Sequence, residues 1–407
     1  MVKRQIFDEL KAHLTEPEVT VVTGMRRTGK TTALHFLLEQ VSHENKLYLD
    51  LERLEYRRIF LKNSFQEMEA DLAFLGIDFT KPSVIAIDEV QLIPEVVSFV
   101  KYYHDHFSVK FLLSGSSSFY LKNKLSESLA GRKTIFEMHP LDFGEFLAFR
   151  GKDSQRLKTM RWAPFRELVY TSYQQDYEEY LKFGGFPQVV LSDSEDKKSR
   201  ALRDILNSYL ELDVKLLADY SVIDDLYKLV TMLAGRIGSK LDYQKLSILT
   251  GISRHKVKDY LQLFKATYFL QVLSPFSLNP DRSIAVQPKI YFSDTGLIGQ
   301  LAQVSSDALF ENAICNQLTP LGQVNYHQKK SGQEIDFILN GEQAIEVKET
   351  PGPSDLKKLR ARATALGLTT TTLIGRHPPG IGFTEFVWGG MCVVALSPAP
   401  PSFFVPL

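Results

Sequence analysis

At 407 residues the chain exceeds the roughly 250–300 residues at which a single hydrophobic core stops growing, so two or three domains are expected. Lys plus Arg equals Asp plus Glu at 48 each, which leaves no global pull on nucleic acid or an anionic membrane; any such contact must be local. With 44% hydrophobic and 24% charged residues, and no apolar run near the roughly 18–20 residues that span a bilayer, the composition is that of a soluble globular protein and argues against a membrane partner.

The first residues, Met1 to Asp8, turn acidic and amphipathic at once and lack the apolar core of a secretory signal, so a cytoplasmic location is expected. Cys315 and Cys392 stand far apart with no cluster of histidines, which excludes a disulfide framework and a zinc site. Both read as small buried hydrophobes.

From Glu18 to about Phe149, short β-branched runs alternate with helical stretches: Val19 to Val22, Thr31 to Gln40, Lys46 to Asp50, Val84 to Ile87 and Lys110 to Leu113. Continuous apolar strands separated by helices predict a parallel sheet covered on both faces. Between the first strand and the first helix, Gly24-Met25-Arg26-Arg27-Thr28-Gly29-Lys30-Thr31 fits G-x-x-x-x-G-K-[ST] in the context that pattern needs. Its glycines let successive N–H groups face phosphates, Lys30 brings positive charge to the β and γ positions, and the following helix, with Thr32 in its first turn, adds its dipole. ATP is the expected ligand, with Thr31 placed to hold Mg²⁺.

Four apolar residues, Val84 to Ile87, then end in Asp88 and Glu89, the form of a buried strand delivering carboxylates to the sheet's C-terminal edge. Asp88 is expected on Mg²⁺ through water, and Glu89 as the residue that polarises the attacking water. After Lys110 to Leu113, the run Ser114-Gly115-Ser116-Ser117-Ser118 offers a hydroxyl, best Ser114, to the γ-phosphate; a plain polar exit from the strand is the alternative. Arg132 reads either as an arginine finger, acting in cis or from a neighbouring subunit, or as an ordinary surface residue. Homo-oligomerisation is left open.

On these motifs residues 20 to 150 resemble the AAA-type, acid-plus-glutamate branch of P-loop ATPases. The chain as a whole resembles a widespread prokaryotic family in which such an ATPase is fused to a C-terminal domain of unassigned function. The resemblance also rests on His139 to Phe146, Gly184-Gly185-Phe186-Pro187 and Lys289 to Leu297, and it implies ATP binding and hydrolysis.

Residues 151–238 read as a helical lid or linker, with apolar spacing in Ala201, Leu202, Ile205, Leu206, Tyr209 and Leu210. Residues 239–284 read as a winged helix-turn-helix: a helix over Leu241 to Thr250, a turn at Gly251-Ile252, and a second helix capped by Ser253 that carries Arg254, His255, Lys256 and Lys258. Val257, Leu261 and Phe264 form its apolar face, and Tyr268 to Leu273 the wing. Between Lys240 and Lys265 six Lys or Arg stand against two Asp, which suits phosphate contact, so DNA is the expected partner. The alternative is a rigid connector with a solvated basic face.

In residues 285–407, Glu334 to Leu339 followed by Ala344-Ile345-Glu346-Val347-Lys348 has the form D…E-x-K on two adjacent strands and resembles the restriction-endonuclease-like superfamily. That resemblance implies a divalent metal between Asp336 and Glu346, with Lys348 activating water. Glu311 is a candidate third carboxylate, or else an acid favoured by the helix dipole. The fold class expected is thus α/β: an ATPase domain (1–150), the helical lid, the winged helix and a nuclease-like α/β domain. Two functions follow: an ATPase coupled to DNA with a metal-dependent nuclease as output, or a nucleotide-dependent switch whose C-terminal domain only binds DNA or a protein.

Overall fold

The structure, a computed structural model, describes residues 2–115, 129–154, 157, 165–213, 223–277, 287–329, 332–380 and 382–397. Ser116 to Ser118, parts of the expected linker, residues 278–284 of the expected winged helix-turn-helix, and the Pro-rich tail at 398–401 lie outside the described residues. The chain divides into two compact units, one of Met1–Pro140, Asn207–Tyr220 and Leu261–Phe269, the other of Leu141–Leu206, Ser221–Tyr260 and Leu270–Leu407.

The first unit holds five parallel strands, β1 (Val19–Thr23), β2 (Lys46–Asp50), β3 (Ser83–Asp88), β4 (Val109–Gly115) and β5 (Lys133–Glu137), in the order β2-β3-β4-β1-β5. Alternate residues of each strand face opposite sides, and both sides are covered. Val22, Val84, Ala86 and Leu112 pack on Phe7 and Leu10 of α1 (Ile6–Ala12) and on Ala33, Leu34 and Leu37 of α2 (Lys30–Gln40). Their neighbours Val21, Ile85, Ile87 and Leu113 meet α3 (Leu54–Phe60), α4 (Phe65–Phe74) and α5 (Val96–His106) through Phe60, Leu72 and Phe99. The four strands read from the sequence are present, and β4 lies between β1 and β3.

In the second unit a mixed sheet has the order β12-β11-β10-β9-β8, built from β8 (Val324–Gln328), β9 (Glu334–Leu339), β10 (Gln343–Lys348), β11 (Thr370–Gly375) and β12 (Val387–Trp388). β8, β9 and β10 run antiparallel; β10, β11 and β12 run parallel. The helices of this unit are α6 (Phe143–Phe149), α7 (Glu167–Phe183), α8 (Glu195–Ser208), α9 (Ile223–Ala234), α10 (Tyr243–Thr250), α12 (Thr295–Leu301), α13 (Ser306–Leu318), α14 (Pro353–Thr364) and α15 (Cys392–Leu396). α11 (Arg254–Ala266) begins here and ends among the residues of the first unit. α6, α7 and α13 cover one face of the sheet, where Phe146, Tyr177, Ile314 and Cys315 meet Phe337, Ile345 and Ile374. α14 covers the other, with Leu359 and Ala363 against Ile335, Ile338 and Ala344. Both cysteines are buried and free.

Two of the motifs meet in this unit. Asp294 caps α12 by accepting from Gly296 N (2.9 Å) and also accepts from Gly185 N (2.6 Å). Gly184 has φ 73°, and a Cβ there would stand 1.9 Å from Asp294 Oδ1; one on Gly185 would stand 2.3 Å from the Leu141 carbonyl oxygen. The Gly-Gly pair is therefore required by close approach on two sides. Burial pushes the Asp294 carboxyl up to about 7, opposed by its backbone donors. Among the described residues no helix is long and apolar enough to cross a membrane.

Candidate functional site

β1 ends at Thr23, and six residues turn the chain into α2. The turn needs positive φ at Gly24 (142°), Arg27 (68°) and Gly29 (102°), and a Cβ on Gly24 would lie 2.2 Å from the Met138 carbonyl oxygen. Inside the loop Thr28 Oγ1 donates to the Met25 carbonyl (2.8 Å), and Lys30 Nζ donates to the carbonyls of Gly24 (3.1 Å) and Met25 (2.9 Å). Arg4 Nη1 donates to Thr28 O (3.0 Å), tying the N-terminal segment to the loop. α2 starts at Lys30 with no side-chain cap, so its first N–H groups point from the loop as an anion site requires. Thr31 and Thr32 stand exposed on that first turn.

Parallel registry brings the acids to the same edge. Asp88, 2% exposed at the end of β3, accepts from Thr31 Oγ1 (2.6 Å) and Tyr48 OH (2.8 Å) on Oδ2, and from Glu89 N (3.1 Å) and the Ser114 hydroxyl on Oδ1. Ser114 reaches it because β4 is inserted beside both β1 and β3, pairing Val22 with Ser114 and Ile87 with Leu113. Glu89 follows in the left-handed region at φ 57°. Gln91 Nε2 donates to its carboxylate, and Arg26 Nη2 lies 3.9 Å from it, Arg26 Nη1 being 3.4 Å from Glu52. Burial pushes the Glu89 carboxyl up, while Lys30 and Arg26 pull it down and Asp88 adds to the rise.

A hydroxyl and a carboxylate 2.6 Å apart at the mouth of the loop are the hard oxygen donors that Mg²⁺ takes, so Thr31 and Asp88 fit that ion. Arg132 is not brought to this edge. It precedes β5, its carbonyl accepts from Val19 N (2.8 Å), and its Nε pairs with Asp105 (2.6 Å) at the end of α5. That is the opposite edge of the sheet, a strand length or on the order of 15 Å from the Thr31–Asp88 pair.

The C-terminal acids form a second cluster. Asp336 on β9 accepts from Val347 N (2.8 Å). Glu346 on β10 lies 2.9 Å from Lys348 Nζ and 3.4 Å from Arg362 Nη1, and Lys348 Nζ is 4.0 Å from Asp336. Burial pushes both carboxyls up; Asp336 adds to the rise at Glu346, and Lys348 opposes it at both. Glu311 on α13 accepts from Tyr291 OH (2.6 Å) and lies 3.6 Å from Lys289 Nζ; burial, then Asp336, push it up to about 7. Among the described residues no three His, Cys, Asp or Glu side chains are grouped to hold a metal ion. Glu346 and Glu311 are each engaged by cations of the chain itself.

Tyr48, Arg4 and Arg362 were not singled out from sequence, and Lys289, Tyr291 and Glu334 were named only as parts of motifs, without a role in the site. For Lys289 and Tyr291 a signal exists: they are two apart on one strand and so share a face. For Tyr48 the only signal is a hydroxyl on a strand next to an acid-bearing one.

Residues 16–147 match the family described as AAA domain, and residues 174–308 match a family described as a domain of unknown function. An uncharacterized protein of Methanocaldococcus jannaschii is 26% identical over 345 residues, covering 82% of this chain and 75% of that one. One of Haemophilus influenzae is 28% identical over 339 residues, 79% of each chain. Among solved structures, the Walker-type ATPase of Pyrococcus abyssi aligns at TM-score 0.45 and 14% identity over 74% of this chain and 96% of that one. The ADP form of the Aeropyrum pernix ORC2 protein aligns at 0.37 and 13%, over 72% and 90%. The loop and the strand order agree with that match: residues 16–147 form an α/β unit with a parallel sheet resembling P-loop ATPases.

Proposed function

We propose that this chain binds Mg·ATP at Gly24 to Thr32 and hydrolyses it, using the nucleotide state as a switch. The observation that carries the reading is the 2.6 Å contact between Thr31 Oγ1 and Asp88 Oδ2, which joins the loop to the acid-bearing strand. The loop N–H groups and Lys30 hold the phosphates; Thr31 and Asp88 hold the metal. A Mg²⁺ held by Thr31 and Asp88 would supply charge neutralisation for phosphoryl transfer. Glu89 orients the attacking water and accepts its proton, and Ser114 keeps Asp88 aimed. Lys30 donates to the carbonyls of Gly24 and Met25, which holds its ammonium at the loop, and its third N–H serves a phosphate. Arg132, on the far edge, acts only in trans if it acts at all.

We read the chain as the four regions 1–150, 151–238, 239–284 and 285–407. The order α10, turn, α11, then β6 (Leu270–Leu273) antiparallel to β7 (Lys289–Phe292), with Lys240 bridging to Lys289, supports the winged helix. On α11 Arg254, His255, Lys256 and Lys258 are exposed while Val257, Leu261 and Phe264 are buried, which supports DNA as partner. The order α13-β8-β9-β10-α14-β11, with Asp336 on β9 and Glu346 and Lys348 on β10, supports the restriction-endonuclease-like reading of 285–407. The cations already on Glu311 and Glu346 favour the second output, binding without cleavage, over a nuclease.

Two measurements test this. A fluorescent ATP analogue binds tightly with Mg²⁺ and weakly in Lys30→Ala; equal affinity in both removes the nucleotide site. Duplex DNA binding weakens in Lys256→Glu/Lys258→Glu, with a smaller salt slope by about 0.9 per lost phosphate contact; an unchanged slope removes the DNA reading.

A further inference from the structure

The deepest cation of the C-terminal acidic cluster is a lysine. Lys289 opens β7 and is only 5% exposed. Its Nζ lies 3.6 Å from Glu311 Oε1, touches Glu334 Oε1, and stands 5.5 Å from the ring centroid of Tyr326. Tyr291, on the same face of the strand, donates to the same Glu311 oxygen, and Gln328 Nε2 donates to Glu334 Oε2 (2.9 Å). A buried ammonium without partners would give up its proton. Here burial does act to lower the Lys289 pKa, but Glu311, Glu334 and Asp336 together outweigh it and the net shift is upward.

We infer that the Lys289 ammonium fills the position between Glu311 and Glu334 that a divalent cation would otherwise take, so the pair is neutralised from within. A metal ion entering there must displace an ammonium and a phenol from Glu311 and leave Lys289 buried and unpaired, which is strongly unfavourable. Glu346 has the same arrangement with Lys348 and Arg362. An ammonium balances charge but offers no vacant coordination position for a water, so it cannot generate a metal-bound nucleophile. The inference concerns residues 285–407 alone and does not depend on the nucleotide site.

The test uses the full chain carrying Asp88→Asn, which removes the carboxylate of the nucleotide-side metal site, without nucleotide. Mn²⁺ binding is followed by the loss of the free-ion signal in electron paramagnetic resonance. The parent takes up no Mn²⁺; adding Lys289→Gln makes bound Mn²⁺ appear, and adding Glu311→Gln as well abolishes it again. Because the readout is a gain, misfolding cannot imitate it. A folded Lys289→Gln protein that takes up no Mn²⁺ overturns the inference. If Lys289→Gln does not fold, the parent decides: Mn²⁺ bound by the parent and lost in Glu346→Gln, or Mg²⁺-dependent nicking of supercoiled plasmid by the wild type that is lost in Glu346→Gln, overturns it, and neither being seen supports it.

Discussion

Asp294 provides a pH-dependent test of how the second unit is held together. The side chain is 2% exposed, accepts from Gly185 N and Gly296 N, and is pushed by burial from its ordinary 3.8 up to about 7. The folded state therefore binds this proton more tightly than the unfolded chain does. The resulting stability is complete below the unfolded value near 4 and is lost as pH rises through 7. At about 1.36 kcal/mol per pH unit, the whole gap corresponds to about 4 kcal/mol, of which about 3 kcal/mol disappears between about pH 5 and about pH 8. Asp294→Asn keeps an acceptor but cannot titrate. It costs about 1–2 kcal/mol at low pH for the backbone donor it fails to satisfy, and it loses this component of the pH dependence. Urea unfolding of wild type and variant across that range, followed by Trp fluorescence, measures the difference. Glu311 and the other raised carboxyls titrate in both proteins and cancel. Parallel stability profiles for the two would refute the assignment of a strained, buried carboxyl to Asp294.

Further outcomes follow from the nucleotide site. Gly24→Ala drives a Cβ toward the Met138 carbonyl at 2.2 Å and is expected to eliminate ATP binding in equilibrium dialysis, at a stability cost of about 1–3 kcal/mol. Tyr48→Phe removes one donor from Asp88 Oδ2, a loss of about 0.5–1.5 kcal/mol. It should raise the Mg²⁺ concentration for half-maximal phosphate release several-fold while leaving kcat at saturating Mg²⁺ nearly unchanged. Arg132→Ala breaks the exposed pair with Asp105 and a 3.4 Å contact to the Ala130 carbonyl, and should change the stability by less than about 1 kcal/mol. At a protein concentration where the chain is monomeric its turnover should equal that of the wild type.

The ATPase sheet was legible because parallel strands buried on both faces leave unbroken apolar runs, and its two motifs sit where such runs end. β5 was not read, because at the sheet edge Lys133 to Glu137 is half-buried throughout and carries charges at both ends. The placement of Arg132 was not legible for a related reason: its motif carries no mark of which end of the strand it lies on. Contacts between residues distant in sequence were invisible in principle. Gly185 and Asp294 meet across 109 positions, and Lys289 finds Glu334 only once three strands are assembled. The E-x-K pattern at Glu346 was readable as two adjacent strands, with Lys348 of that pattern 2.9 Å from Glu346, but that Arg362 of α14 also meets Glu346, and Lys289 of β7 meets Glu311 and Glu334, was not readable.

The central claim, hydrolysis of Mg·ATP at the loop and acid pair, is tested most directly by phosphate release from purified wild type, Lys30→Ala and Glu89→Gln, with ATP binding measured on the same samples. The account predicts turnover in the wild type, neither tight binding nor turnover in Lys30→Ala, and retained binding without turnover in Glu89→Gln. Wild-type turnover in Glu89→Gln, or in a folded Lys30→Ala protein, would contradict it.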